Sequence, residues 1–454
     1  MDISNIEELK EWLKTTSATW EENGEGIMLR GLKLFDLEIE EVEVNGDEDS
    51  RHFAEMVENL TQGKNNTIAV TRDTPQLSEA IKSYLYFITE KGKKVRAKTV
   101  EDYRAKLEAF LEIIGDMDVS NISEANIIDY KKILENLPPN RNKKTEFIGL
   151  TARECSEKNT DKPLSNTTVR NTIIRISTFC NWCTDRKMMD FNPATAFIPE
   201  KDEAENKLRI SFNDDDLDDL FGNREILNFK TKGVTSYTYW SSLIALYTGA
   251  RLEEVCRLRL EDFKLDGPIP HIAITPYFDE IFKVQVKLKT INSKRLVPLH
   301  PDLKEFGLFD YVKGLEKSGF YKLFPELILA RDGFGGRVSN WFRRFKERNL
   351  SNNSGKKTFH SFRHTFINRL VKNKIDNRFI TDAVGHAEDK KETLSDSYID
   401  ESELIELYDA IKTLNFKIVK YAPKMRKVSE QLITYSQTYT IKNPNQLKPS
   451  IMGE

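Results

Sequence analysis

Apolar positions recur at helical spacing through most of the chain. Leu77, Ala80, Ile81, Tyr84, Leu85 and Ile88 fall on one stripe of a 3.6-residue period, which predicts an amphipathic helix. Val100–Ile114 and Glu124–Leu137 repeat the pattern, and Pro138-Pro139 then breaks it. A fourth helix, Ser165 to Lys187, turns Val169, Ile173, Ile176, Phe179, Cys180 and Cys183 inward, and Asn192-Pro193 closes the segment. A helical domain is therefore expected over residues 74–200. Ahead of it, residues 1–73 combine a short helical start, an alternating segment (Leu34 to Val44) whose alternation slips once, and a helix around Arg51–Leu60.

After a charged linker at residues 201–214 the pattern becomes mixed, and a larger domain is expected over residues 215–414. The stretch Tyr237–Tyr247 is apolar nearly all round and should be a buried helix, interrupted at Thr248-Gly249, with a second helix starting near Arg251. Three strand candidates follow at Ile269–Thr275, Lys283–Leu288 and Arg295–Leu299. In the second, Val284, Val286 and Leu288 alternate with Lys283, Gln285 and Lys287, a half-buried strand with a basic outer face. Helical spacing returns at Val338–Arg348, Ser361–Asn373, Arg378–Val384 and Glu403–Leu414. Residues 415–454, rich in Lys, Gln, Asn and Pro, read as a tail ordered only by contact. The expected class is multidomain and mainly α, with a small antiparallel β-sheet.

Charge changes this picture once it is divided. Residues 1–73 hold 18 acidic and 7 basic residues, a balance of -11, so with a net charge of -3 the remainder carries +8. Basic clusters recur only in that remainder: Lys91–Lys98, Arg141–Lys144 and Arg337–Arg348. Arg170, Arg175, Arg186 and Lys187 add to them. Such patches can neutralise phosphates, which makes nucleic acid a plausible partner for everything after residue 73. The acidic first segment is a poor DNA binder and is expected to serve accessory protein contacts. No apolar run approaches the roughly 20 residues of a membrane span, and the start MDISNIEELK is not signal-like. Four cysteines do not make a disulfide framework, and a cytoplasmic protein is expected. Cys180 and Cys183 have a C-x-x-C spacing without a second pair, so they are expected to be buried helix residues rather than metal ligands.

The polar residues that could carry chemistry lie in short phrases. In Thr248-Gly-Ala-Arg251-Leu-Glu-Glu254, Arg251 opens a helix where backbone N–H groups and a side chain can meet an anion, and Glu254, one turn later, can orient it. His360 and Arg363 are also three apart, while Phe362, Phe366, Ile367 and Leu370 would fix their helix on a core. His364 points roughly 100° away from Arg363 and suits a supporting role. Gly385 reads as a helix cap that aims His386, and Lys289 ends the basic strand ahead of a polar turn. Tyr398 is a phenol twelve residues after His386; Tyr408, on a helical stripe with Leu404 and Ile411, is the lesser alternative.

Arg251-x-x-Glu254, Leu288-Lys289-Thr290 ahead of Lys294-Arg295-Leu-Val-Pro-Leu, His360-x-x-Arg363, Gly385-His386 and Tyr398 together resemble the tyrosine recombinase (phage-type integrase) family. The resemblance is close over about residues 210–414 and looser over 74–200, which is similar to the family's core-binding domain. It implies a mixed α/β catalytic domain in which Tyr398 attacks a DNA phosphate and forms a covalent 3′-phosphotyrosine, without ATP, metal or other cofactor. Arg251 and Arg363 would hold the non-bridging oxygens, with His386 adding a hydrogen bond. His360 would assist proton transfer at Tyr398, Lys289 would protonate the leaving 5′ oxygen, and Glu254 would support the site. The implied partners are double-stranded attachment sites, met by a homotetramer on DNA. The gap from His386 to Tyr398 is longer than the commonest family spacing. Two other activities fit parts of the pattern: a type IB topoisomerase, and a DNA-binding regulator that has lost catalysis.

Overall fold

The computed structural model describes residues 6–14, 19–23, 26–34, 37–61, 74–91, 95–201, 210–230, 234–288, 293–331, 333–351, 357–385 and 401–442. It is mainly helical with small antiparallel sheets, as the periodicity predicts. The chain divides into two compact units, Met1–Glu200 and Lys201–Glu454. No helix of the described residues is long and apolar enough to cross a membrane.

In the first unit, helix α1 (Ile6–Leu13) precedes an antiparallel meander, β1 (Thr19–Asn23), β2 (Gly26–Leu34) and β3 (Leu37–Asn45), and helix α2 (Gly46–Thr61) follows. The sequence reading found β3 but not β1 or β2. Ile27 and Leu29 pair with Val44 and Val42, and this face meets Leu9, Leu13, Phe53 and Val57 in a small core of its own. Five helices come next: α3 (Leu77–Tyr86), α4 (Ala97–Ile114), α5 (Glu124–Asn136), α6 (Ala152–Lys158) and α7 (Asn166–Thr184). Their core holds the predicted stripes, and Cys180 and Cys183 are fully buried in it; burial pushes the Cys183 thiol up to about 12.

Several basic side chains of this unit are committed inside it. Arg175 pairs with Asp102 and lies over the Tyr103 ring, Arg186 stacks on Phe87 and Trp182, and Arg170 donates to the Pro199 carbonyl. Arg141 and Lys144 pair with Glu112 and Asp161. A count of lysines and arginines therefore overstates the cations available to a phosphate backbone.

The second unit is built around α10 (Ser236–Thr248), which follows α8 (Asp214–Phe221) and α9 (Arg224–Leu227). Every residue of α10 except Tyr237 is buried. Next come α11 (Leu252–Cys256) and strands β4 (Phe263–Lys264), β5 (His271–Ile274), β6 (Tyr277–Asp279), β7 (Val284–Val286) and β8 (Arg295–Pro298). The three predicted strands do not share one sheet: β4, β5 and β8 form an antiparallel trio, while β6 and β7 form a separate hairpin. Helices α12 (Pro301–Glu305), α13 (Leu308–Lys317), α14 (Gly335–Asn349), α15 (Ser361–Lys372), α16 (Asn377–Val384), α17 (Glu401–Lys412) and α18 (Ala422–Lys442) complete it.

Helix α18 lies in the stretch read from sequence as a tail. Met425, Val428 and Leu432 are buried in the unit's main core. The Tyr239 hydroxyl donates to the Met425 carbonyl at 2.8 Å, and the Ser429 hydroxyl to the Gly307 carbonyl at 3.0 Å. This helix is part of the fold. Its Lys- and Gln-rich outer positions conceal an inner stripe at spacings of three and four.

Candidate active site

Gly249 caps α10 in the left-handed conformation, φ +62°. A Cβ there would lie 2.6 Å from the Phe366 ring and 3.0 Å from Val384, so glycine is required on both counts. The turn lets the chain reverse and start α11 two residues later, with Arg251 at its N-cap. The Glu254 carboxylate accepts from the Arg251 backbone N–H at 2.9 Å and from its Nη1 at 2.8 Å. The predicted Arg–Glu contact is thus a cap and an ion pair at once. The neighbouring Glu253 does a different job, accepting at 2.8 Å from the N–H groups of Phe334 and Gly335 at the start of α14.

Phe362, Phe366 and Leu370 anchor α15 in the core, with Ile367 packed beside them. Arg363 on the same helix is only 1% exposed. Its fork donates from Nη1 to the Gly249 carbonyl at 2.7 Å and from Nη2 to the Val384 carbonyl at 2.6 Å. Those bonds tie the turn before Arg251 to the end of α16. His360 sits exposed at the N-cap, and His364, half-buried, meets it edge-on at 4.8 Å between ring centres.

The residue that sequence reasoning missed is Arg295, at the start of β8. It donates from Nη2 to Glu254 Oε2 at 2.8 Å, from Nε to the Ala383 carbonyl at 2.8 Å, and from Nη1 to the Ser293 carbonyl at 2.9 Å. Arg251 reaches the same segments more loosely, 3.5 Å to Ser293 Oγ and 3.4 Å to the Gly385 carbonyl. Gly385 has φ +65°, and a Cβ on it would lie 3.1 Å from Arg295 Nη1. In the sequence Arg295 stands only within the phrase Lys294-Arg295-Leu-Val-Pro-Leu, with no role attached to it.

Two guanidiniums, those of Arg251 and Arg295, therefore hold one carboxylate, and Arg363 adds a third positive charge nearby. Burial alone would raise the Glu254 carboxyl, but Arg295 and Arg251 overcome it and hold the group at about 2. Burial, and then the charges of Arg251 and Arg295, push the Arg363 guanidinium down to about 9. It still carries its proton at neutral pH, which leaves the cluster two positive charges in excess. Such a cage suits a bound oxyanion.

Lys289, His386 and Tyr398 lie outside the described residues, though the segments leading to two of them are in place. The β6–β7 hairpin is pinned by a buried Lys322–Asp279 pair at 2.7 Å and by the Tyr277 hydroxyl, which donates to the Arg257 carbonyl at 2.9 Å. Arg257 Nη1 in turn donates to the Lys287 carbonyl at 3.0 Å, two residues before Lys289. Gly385 caps α16 immediately before His386, as its sequence position predicts. Tyr408 stands on α17 with the Lys412 ammonium 4.8 Å from its ring centre, beside the buried Leu404, Leu407 and Ile411.

Comparison with known proteins finds solved structures and one family model similar to parts of this chain. Solved structures similar to this chain include a lambda integrase tetramer bound to a Holliday junction, with 15% identity, 82% of this chain and 97% of that chain covered, and a TM-score of 0.49. A lambda integrase dimer bound to a COC′ core site has 17% identity, 70% and 98% coverage, and a TM-score of 0.46. The Tn1549 transposon integrase in complex with a circular intermediate DNA has 14% identity, 69% and 92% coverage, and a TM-score of 0.48. The model of the phage integrase family matches residues 212–403, the span that contains Arg251, Glu254, Arg295, His360 and Arg363. Through this span the chain is similar to the phage integrase family.

Proposed function

We propose that the second unit breaks and rejoins DNA at specific attachment sites through a covalent 3′-phosphotyrosine at Tyr398. The observation that carries this reading is the cluster of a half-buried Arg251 with the buried Arg295 and Arg363 beside Glu254, an excess of fixed positive charge with guanidinium donors set in place. In the proposed step the Tyr398 oxygen attacks phosphorus, forming the phosphotyrosine bond as the bond to the 5′ oxygen breaks. His360 takes the phenol proton and Lys289 supplies one to the leaving oxygen. Arg251, Arg363 and His386 stabilise the charge that develops on the non-bridging oxygens, and Glu254 keeps Arg251 in position. The bond energy stays in the phosphotyrosine, so rejoining requires no ATP. Strand exchange between two sites calls for a tetramer, with residues 1–73 supplying accessory contacts.

The test is a suicide substrate built from DNA flanking the gene, scored for protein-linked DNA. Wild-type protein should form the adduct and Tyr398→Phe should not. An adduct from Tyr398→Phe would place the nucleophile elsewhere, and none from wild type on any flanking site would refute the catalytic reading. Relaxation of a plasmid lacking the site would identify a topoisomerase instead.

A further inference from the structure

We propose that Arg295 is a positioning residue of the phosphate cage, whose task is to keep Glu254 from consuming the Arg251 fork. This inference rests on the recombinase reading. An arginine and a carboxylate left to themselves favour a two-bond, fork-to-fork pair, which occupies both carboxylate oxygens and two guanidinium donors. The geometry here prevents that. Glu254 Oε2 is taken by Arg295 Nη2 at 2.8 Å and by the Arg251 backbone N–H at 2.9 Å. Only Oε1 remains for the Arg251 side chain, which meets it through Nη1 alone at 2.8 Å. The other side-chain contacts of Arg251 are long, 3.4 and 3.5 Å. Arg251 is thereby oriented by one short bond while the rest of its fork is held ready for an anion. Its side chain is 22% exposed, against 3% for Arg295. Of these two guanidiniums, Arg251 is the more open, and the bonds of Arg295 engage its Nε, Nη1 and Nη2 with protein acceptors.

The other two bonds of Arg295 serve the same end. Its grip on the Ala383 carbonyl fixes the end of α16 from which Gly385 and His386 leave. Its grip on the Ser293 carbonyl fixes the chain four residues after Lys289. One planar guanidinium reaches three separate stretches of chain, a geometry that an ammonium cannot reproduce.

The test compares wild type, Arg295→Gln, Glu254→Gln and the double variant in single-turnover cleavage of the suicide substrate at saturating DNA, with affinity measured separately by gel shift. Arg295→Gln is expected to slow cleavage on the order of 10–100-fold, the usual effect of losing a supporting partner, with affinity within about twofold. Because Arg295 acts on Arg251 through Glu254, the losses of the two single variants should not multiply in the double variant. If Arg295→Gln fails to fold, Arg295→Lys keeps the charge opposite Glu254 and should still lose about tenfold or more in rate. Cleavage by either folded variant within about threefold of wild type, or multiplying losses in the double variant, overturns the inference alone. No adduct from the wild type overturns the recombinase reading, and this inference with it.

Discussion

Replacing Glu254 with glutamine removes one negative charge, preserves shape, and leaves Arg251 and Arg295 without their shared counter-charge. The magnitude follows from the carboxyl group, which the folded protein holds at about 2 rather than 4.5. At about 1.4 kcal/mol per pH unit, this difference corresponds to roughly 3 kcal/mol of stability at neutral pH. The sign follows from which state binds the proton more tightly. A carboxyl with a lowered folded pKa stabilises the protein above the unfolded value, and that contribution disappears as pH falls through the folded value. The deficit of Glu254→Gln against wild type should therefore be constant above about pH 5 and shrink between about 4.5 and 2. The second unit spans 254 residues, so the loss at pH 7 corresponds to a fall in Tm of roughly 6–12 °C. Urea unfolding of both proteins at pH 7 and pH 3.5 measures it, with the gap narrowing by about 1 kcal/mol or more at the lower pH. A variant within about 0.5 kcal/mol of wild type at pH 7, or a gap indifferent to pH, would refute the electrostatic account.

Other perturbations probe separate parts of the site. Arg363→Lys strips the Gly249 and Val384 carbonyls of their shared fork and should cost about 1–3 kcal/mol in denaturant unfolding, with cleavage reduced on the order of 100-fold or more. Gly249→Ala meets both a positive φ and the Phe366 ring, so a loss of about 2–5 kcal/mol is expected; wild-type stability would show that the turn relaxes freely. Leu432→Ala, at a fully buried position of α18, should lower stability by about 2–5 kcal/mol. A near-neutral result there would mean that the helix does not belong to the core.

What could be read from sequence divides by distance along the chain. Arg251 and Glu254 are three residues apart, so a local helix was enough to bring them together. Arg295 escaped because its partners Glu254 and Ala383 lie 41 and 88 residues away, and no local period records such a meeting. Strand β2 was missed because Ile27, Met28, Leu29, Leu32 and Leu34 do not alternate cleanly around Gly31. Helix α18 was hidden by its solvent side: Lys, Gln and Thr make up 8 of its 21 residues, while the residues that bury are few.

The cis packing of α18 bears on synthesis as well as stability. A ribosome that has just added Tyr398 has delivered every side chain of the proposed cleavage step, yet not the helix that packs beside α13. A chain stalled or truncated at that point holds a complete chemical list and an incomplete core. If folding waits for the last part of the unit to emerge, DNA cleavage waits with it. Prematurely ended chains would then be inert rather than hazardous to the DNA around them.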